Sequence, residues 1–356
     1  MKRPARRYRS ARRVLQRRPI EASSPCRIDS GGTWDIKVFA LPYEDIRPVT
    51  INMALNLRTR VSLSPFREGW VAISSEGFAI EEEYQIERLP FKRPYGIFWA
   101  AMAYFGLHGL KVHIRSDSPV RSALGGSSTA LIALLKALSK LAATQNGRTL
   151  SRPDILHLGY HFEDGVSGGH CGIQDQAAAV YGGVNQWTWS YGDRRKPFRR
   201  ESLLDRKGQK SFSRHLLVAF SGKTHASGRI NRSWVQAFLS GETRSGWLEV
   251  NRIVHKLGNA IRSEDWPRAA GLVREEMAVR REITPEALIP ITRRLVDQAE
   301  MRGCGARFAG AGAGGSLWAV GAADKITRLK ADWEKTLAPV RGAGVLDCQI
   351  DPRGVR

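Results

Sequence analysis

The sequence predicts a protein of mixed strands and helices arranged in two domains. Three observations carry that prediction. The chain has 356 residues with 42% hydrophobic content, enough for a substantial core divided between two domains. A β-prone run, KVHIRS (Lys111–Ser116), leads through a small-residue turn into a long apolar run, Ala130–Ala143, which reads as strand, turn, helix. Strand-like stretches crowd the first half, and helix-like stretches crowd the second.

The folded part is expected to begin near Ala22. SSPCRIDSGGTWDI starts as a strand and breaks at Gly31-Gly32. PVTINMALNLRTRVSL alternates as one or two strands, and WVAISSEGFAI reads as another. PYGIFWAAMAYFGL is a helix opened by Pro94 and closed around Gly106. After the turn, the apolar helix from Ser128 should be buried, because it is hydrophobic nearly all round. The next helix has Ser151 as N-cap and Pro153 in its first turn. An aromatic strand, VNQWTWSY, places Trp187 and Trp189 on one face, where packing is the expected role. The charged run Gly192–Lys210 reads as a linker or edge strand, and the domain boundary is placed there. HLLVAF opens the second half. Helices are expected from about 230, then at 247–262, 265–281, 286–302 and 323–336, with a last strand at VLDCQI. GARFAGAGAGGSLWAV reads as strand, glycine turn, strand.

Composition excludes several classes. No window of 18 apolar residues exists, so no transmembrane helix is expected. The four cysteines, Cys26, Cys171, Cys304 and Cys348, match no zinc spacing and suggest reduced thiols in a cytoplasm. There is no GxxxxGK[ST] and no GxGxxG in a βαβ unit, which argues against Walker-type NTPases and dinucleotide oxidoreductases. The net charge is +22, and residues 1–18 contribute nine Lys/Arg with no acid. Residues 1–21 are therefore expected as a basic, disordered tail, dispensable or able to bind nucleic acid. The remaining charge suits anionic substrates.

Three glycine-containing segments recur at strand ends: Ser30–Asp35, Leu124–Ser128 and Gly310–Ser316. In the second, a helix start places unpaired N–H groups beside glycines, an arrangement that cradles phosphates. An ordinary strand–helix connection capped by Ser127 is the competing reading. Glu163 lies near a helix end, and Asp175 lies twelve residues later. Phosphoryl transfer needs a metal and a carboxylate near the attacking hydroxyl. Glu163 with Ser128 can supply the metal contacts, and Asp175 can act as base or orient the hydroxyl. Each acid can equally be a helix-terminal surface carboxylate.

SPCRIDSGGTWD, SPVRSALGGSST and GARFAGAGAGGSLWAV resemble, in order and spacing, the three motifs of the GHMP small-molecule kinases. The resemblance covers most of Ser24–Ile350. CGIQDQAAAVYGG resembles the aspartate-bearing stretch of galactokinase-like members. RIDSGGTWD is closest to the fucokinase and D-glycero-D-manno-heptose 7-phosphate kinase branch, and SGKTHASGRINRSW resembles the start of the second domain in those enzymes.

The resemblance implies an α+β fold of two domains, 22–205 and 206–356, with an active-site cleft between them. It implies an ATP- and Mg2+-dependent kinase for a hydroxyl, the anomeric one, of a sugar or sugar phosphate. The alternatives are a kinase for another small alcohol or a non-catalytic regulator on the same fold. Asp175 would be the catalytic carboxylate, with Arg27 beside it, and Glu163 and Ser128 would hold Mg2+. Thr33, Trp34 and Asp35 would meet the sugar. Leu124, Gly125, Gly126, Ser127 and Ser128 would wrap the phosphates, and Gly312, Gly314 and Gly315 would support them. His170 and Lys223 are further substrate-binding candidates, while His161, His225 and Arg229 are lesser ones. Arg280 and Arg281 end a helix and receive no role. Three departures from the motifs stand out. Ser122 and Ala123 occupy positions usually held by glycine, Ala311 and Ala313 interleave the third turn, and Arg307 stands where lysine is common. A Cβ at 123 is expected to crowd a phosphate or shift the loop.

Overall fold

The computed structural model describes residues 8–92, 94–145, 147–169, 171–224 and 227–356. Its first sheet contains β1 (Ile20–Ser30), β2 (Val49–Pro65), β3 (Trp70–Ser75), β4 (Phe78–Gln85), β5 (Leu110–Ser116), β6 (Val184–Trp189) and β7 (Phe198–Ser202). The alternating run at 48–63 forms the single 17-residue strand β2. It pairs antiparallel with β1 along most of its length, with β6 at its start and with β5 at its end. WVAISSEGFAI is not one strand. It is the β3–β4 hairpin, because Glu76-Gly77 turns the chain and the Gly77 N–H donates to Ser75 Oγ.

Helices α1 (Gly96–Phe105), α2 (Gly126–Ala143), α3 (Arg152–Ser167) and α4 (Gln174–Tyr181) cover this sheet, with α2 lying across β1 and β2. Leu131, Leu134, Leu135 and Leu138 of α2 are fully buried, in keeping with its apolar circumference. Gly106 ends α1 in the left-handed conformation, and Ser151 with Asp154 forms a capping box on α3. Trp187 and Trp189 stack within the core.

The second sheet contains β8 (Leu216–Phe220), β9 (Gly305–Phe308), β10 (Ser316–Val320) and β11 (Gly344–Val345), in the order β9-β10-β8-β11. It lies with α5 (Ser227–Ser240), α6 (Arg244–Arg262), α7 (Trp266–Ile283), α8 (Pro290–Met301) and α9 (Ala323–Leu337).

Two chain ends depart from expectation. From Tyr8 onward the basic tail is part of the fold. Arg9–Ser10 pairs with Leu107–His108, and a helix at Arg12–Arg17 follows. Ala11 and Leu15 are buried there, which gives this short segment an apolar anchor that a freely solvated tail lacks. The last residues, expected with the second domain, return to the first sheet. Ile350 bridges Leu55, and Arg356 and Ser23 exchange backbone hydrogen bonds. The buried Arg58 guanidinium on β2 draws them there, pairing with Asp351 and donating to the Arg353 and Gly354 carbonyls. VLDCQI contributes only Val345 to β11.

Candidate active site

The bend before α2 begins the site. Gly125 is the N-cap, left-handed at φ +76°, and no side chain caps the helix. The capping role considered for Ser127 is therefore not taken. Gly126 and Ser127 are exposed, and a Cβ placed on Gly126 would meet nothing within 4 Å. The first amides of α2 thus stand at an open surface, with the helix dipole behind them. The residues present fit an anion such as a polyphosphate.

Asp175, in the first turn of α4, lies against this bend. A Cβ on Gly125 would sit 3.3 Å from Asp175 Oδ2. Glycine is needed there both for its positive φ and for this close approach. Arg27, on β1, donates from Nε to Asp175 Oδ1 at 2.7 Å and from Nη1 to the Ala123 carbonyl at 2.6 Å. Residue 27 is 4% exposed. One guanidinium therefore ties the Asp175 carboxylate to the glycine bend.

Asp29 lies on the same face of β1, two residues on. It is fully buried, 3.6 Å from Arg27 Nη1, and accepts the Gly310 N–H at 2.8 Å. Its other oxygen lies 3.6 Å from Arg307 Nη2. Arg307 donates to Glu276, which also accepts from the Gly31 N–H and the Ser30 hydroxyl. These buried charges join the first and third glycine turns. The third turn also packs on the second: Ser316 donates its N–H to the Ser122 carbonyl, and a Cβ on Gly315 would lie 2.6 Å from the Ala123 Cβ. Ala123 is itself left-handed, φ +63°, and its methyl is directed at Gly315. Gly314 packs on the Lys223 and Thr224 carbonyls, and Gly312 on that of Ala287.

The Glu163 carboxylate accepts from Gln176 Nε2 at 2.7 Å, and the Ser128 side chain lies beside it. Burial raises the Glu163 pKa to about 7; the neighbouring Ser128 hydroxyl opposes this, and the Asp175 charge adds to it. Two adjacent hard oxygen donors suit Mg2+, which keeps waters and phosphate oxygens as its other ligands.

Asp35 is 1% exposed and accepts the N–H groups of Thr33 and Gln174. Burial pushes its pKa up to about 6, opposed by those bonds and reinforced by the Asp175 charge. A Cβ on Gly172 would fall 1.9 Å from its Oδ2, so the loop before α4 closes over this carboxylate. Thr33 is strained, φ +106° for a β-branched residue. The expectation that Trp34 meets the sugar is corrected. Its ring is fully buried against Phe39, Tyr43 and Phe238, and its N–H donates to the Trp247 carbonyl. A large apolar ring beside a glycine turn found a pocket between the two halves of the chain.

The structure thus gathers Arg27, Leu124, Gly125, Ser128, Glu163 and Asp175, with Asp35 beside them. Lys223 has an exposed side chain, while its carbonyl receives the Gly315 N–H. His161 is exposed on α3. His170 and His225 lie outside the described residues. Sequence reasoning missed Asp29, Glu276 and Arg307 as a network. Alternation along β1 could have paired Asp29 with Arg27, but nothing local links Glu276 or Arg307 to them. Among the described residues, no helix is long and apolar enough to cross a membrane.

Residues 92–183 match the family model for the GHMP kinases N terminal domain. A homoserine kinase from Caldanaerobacter subterraneus subsp. tengcongensis is 32% identical over 136 residues, 38% of this chain, and that match spans only 39% of the enzyme. A solved D-glycero-D-manno-heptose 1-phosphate kinase from Bacteroides thetaiotaomicron superposes with a TM-score of 0.71 at 16% identity, covering 95% of this chain and 98% of that one. A phosphomevalonate kinase from Streptococcus pneumoniae, in complex with phosphomevalonate and AMPPNP, gives 0.72 at 13% identity, covering 93% and 100%. The chain therefore has the α+β fold of these solved kinases, and residues 92–183 are similar to the GHMP kinases N terminal domain.

Proposed function

We propose that this chain is an ATP- and Mg2+-dependent kinase that phosphorylates a hydroxyl of a sugar or sugar phosphate. The heptose-phosphate or fucose type leads, with the anomeric hydroxyl as acceptor. One observation carries the reading: the Asp175 carboxylate touches the glycine bend and is held there by Arg27. A phosphate-type cradle and a carboxylate facing the same place are what in-line transfer to an alcohol requires.

In this reading the amides of Gly125, Gly126 and Ser127 receive phosphate oxygens. Asp175 orients the attacking hydroxyl and takes its proton, while Arg27 offsets the charge that develops between them. Ser128 and Glu163 would hold Mg2+, which when bound neutralises charge on the phosphates. Asp35, buried beneath the loop before α4, holds that loop beside the acceptor through its bonds to the Thr33 and Gln174 amides. The solved relatives bound to AMPPNP or named for a heptose phosphate support ATP and a sugar, respectively. The partial match to a homoserine kinase supports a second reading, a different small alcohol as acceptor.

The test is ADP release in the presence of ATP and Mg2+ over a panel of fucose, heptose phosphates, galactose, uronic acids and homoserine. An active acceptor is expected among the sugars. Asp175→Asn should retain a thermal shift with ATP and lose acceptor-dependent ADP release by about a hundredfold or more. Full turnover in that variant would remove the assigned chemistry.

A further inference from the structure

The ordered basic segment at the amino end is not used by the site above. Arg12, Arg13 and Arg17 occupy one arc of the helix Arg12–Arg17, at about 100° per residue. They are exposed, as is Arg18. The opposite side is spent on the core through Ala11 and Leu15. The segment is pinned by its pairing with Leu107–His108, by Arg9 donating to the Gln145 carbonyl and by Gln145 donating to the Ser10 carbonyl. Lys136 and Lys140 on α2 continue the face. Lys140 donates to the Glu21 carbonyl, and burial together with the charges of Lys136 and Arg18 lowers its pKa. None of these six cations forms an ion pair among the described residues.

We propose that this face, Arg12, Arg13, Arg17, Arg18, Lys136 and Lys140, binds the phosphate backbone of a nucleic acid, separately from the candidate active site. Lys140 lies about 20 Å along α2 from the glycine bend, at 1.5 Å per residue. A fixed row of cations that forms no ion pair among the described residues, with Glu21 beside Lys140, releases counterions when it meets closely spaced phosphates. An anionic membrane fits less well. Interfacial helices bind by burying an apolar face, and here the apolar residues are already inside the protein.

The test uses the full chain and a labelled oligo(U) strand, read by fluorescence anisotropy. With about four phosphate contacts, the slope of log K against log salt should be about −3, a loss of about 50-fold between roughly 50 and 200 mM salt. The variant R12Q/R13Q/R17Q/R18Q should weaken binding at least about tenfold and flatten that slope. A charge-matched control, R194Q/R195Q/K196Q/R199Q, should stay within about twofold of wild type; these four residues are exposed on the connecting run. Both variants should keep the wild-type circular dichroism and melting temperature. Equal losses in the two variants would show that net charge alone drives association and would overturn the proposal. No oligo(U) binding, or binding only to phosphatidylserine vesicles, would overturn it as well. None of these readouts depends on kinase activity.

Discussion

Removing Glu276 tests the buried network that joins the two halves of the chain at the candidate site. Its carboxylate accepts from the Gly31 N–H at 3.1 Å, from Arg307 at 2.9 Å and from the Ser30 hydroxyl. Both Glu276 and Arg307 are fully buried. Glu276→Ala leaves a guanidinium in the interior whose next carboxylate, Asp29, is 3.6 Å away. It also leaves an amide and a hydroxyl without acceptors. Breaking one side of a buried pair costs about 3–5 kcal/mol, mainly because the remaining charge stays desolvated. At about 2–4 °C per kcal/mol, the melting temperature should fall by about 10 °C. Glu276→Gln keeps the volume and one acceptor oxygen, so it should lose less than half as much. Thermal melting of both variants by circular dichroism near neutral pH decides the matter. A loss below about 2 °C for Glu276→Ala would mean that the network does not hold the two halves together.

Other outcomes follow from the same geometry. Gly315→Ala should destabilise by about 2 kcal/mol or more, because its Cβ would meet that of Ala123 at 2.6 Å and its φ is +70°; adding Ala123→Gly should recover part of the loss in chemical denaturation, and simple additivity would refute the contact. Asp35 has a folded pKa of about 6, above its ordinary 3.8. The native state therefore holds that proton more tightly, and the stability Asp35 contributes is full below about 4 and lost as pH rises through about 6. Asp35→Asn should flatten the decline in melting temperature between those values, and an unchanged slope would rule the residue out as its source. Glu163→Gln should raise the Mg2+ concentration needed for half-maximal ADP release by about tenfold; an unchanged requirement would remove Glu163 as a metal contact.

Much of the site was legible in one dimension. Arg27, Leu124, Gly125, Ser128, Glu163 and Asp175 were singled out from short motifs, and the structure brings them together. Ala123 shows where local reading stopped. Its extra methyl was expected to crowd a phosphate or shift the loop. In the fold the residue turns left-handed, and the methyl faces Gly315 of the distant third glycine turn. Trp34 shows the same limit, since its neighbours Phe238 and Trp247 lie two hundred residues on. The basic tail joins the fold from Tyr8 onward, which was not legible because Ala11 and Leu15 carry too little local signal to reveal their docking in one dimension; residues 1–7 lie outside the described residues.

What the sequence by itself determined was the local chemistry: glycines at strand ends, alternation in β2, the apolar circumference of α2 and the acids around α4. These are effects of neighbouring residues on backbone conformation and face, and they act over a few positions. Only the tertiary structure decided which charges would share a dry interior. The Asp29–Arg307–Glu276 chain and the Arg58–Asp351 pair each join residues hundreds of positions apart. Desolvation makes such groups find partners wherever packing places them, and no local pattern records that choice.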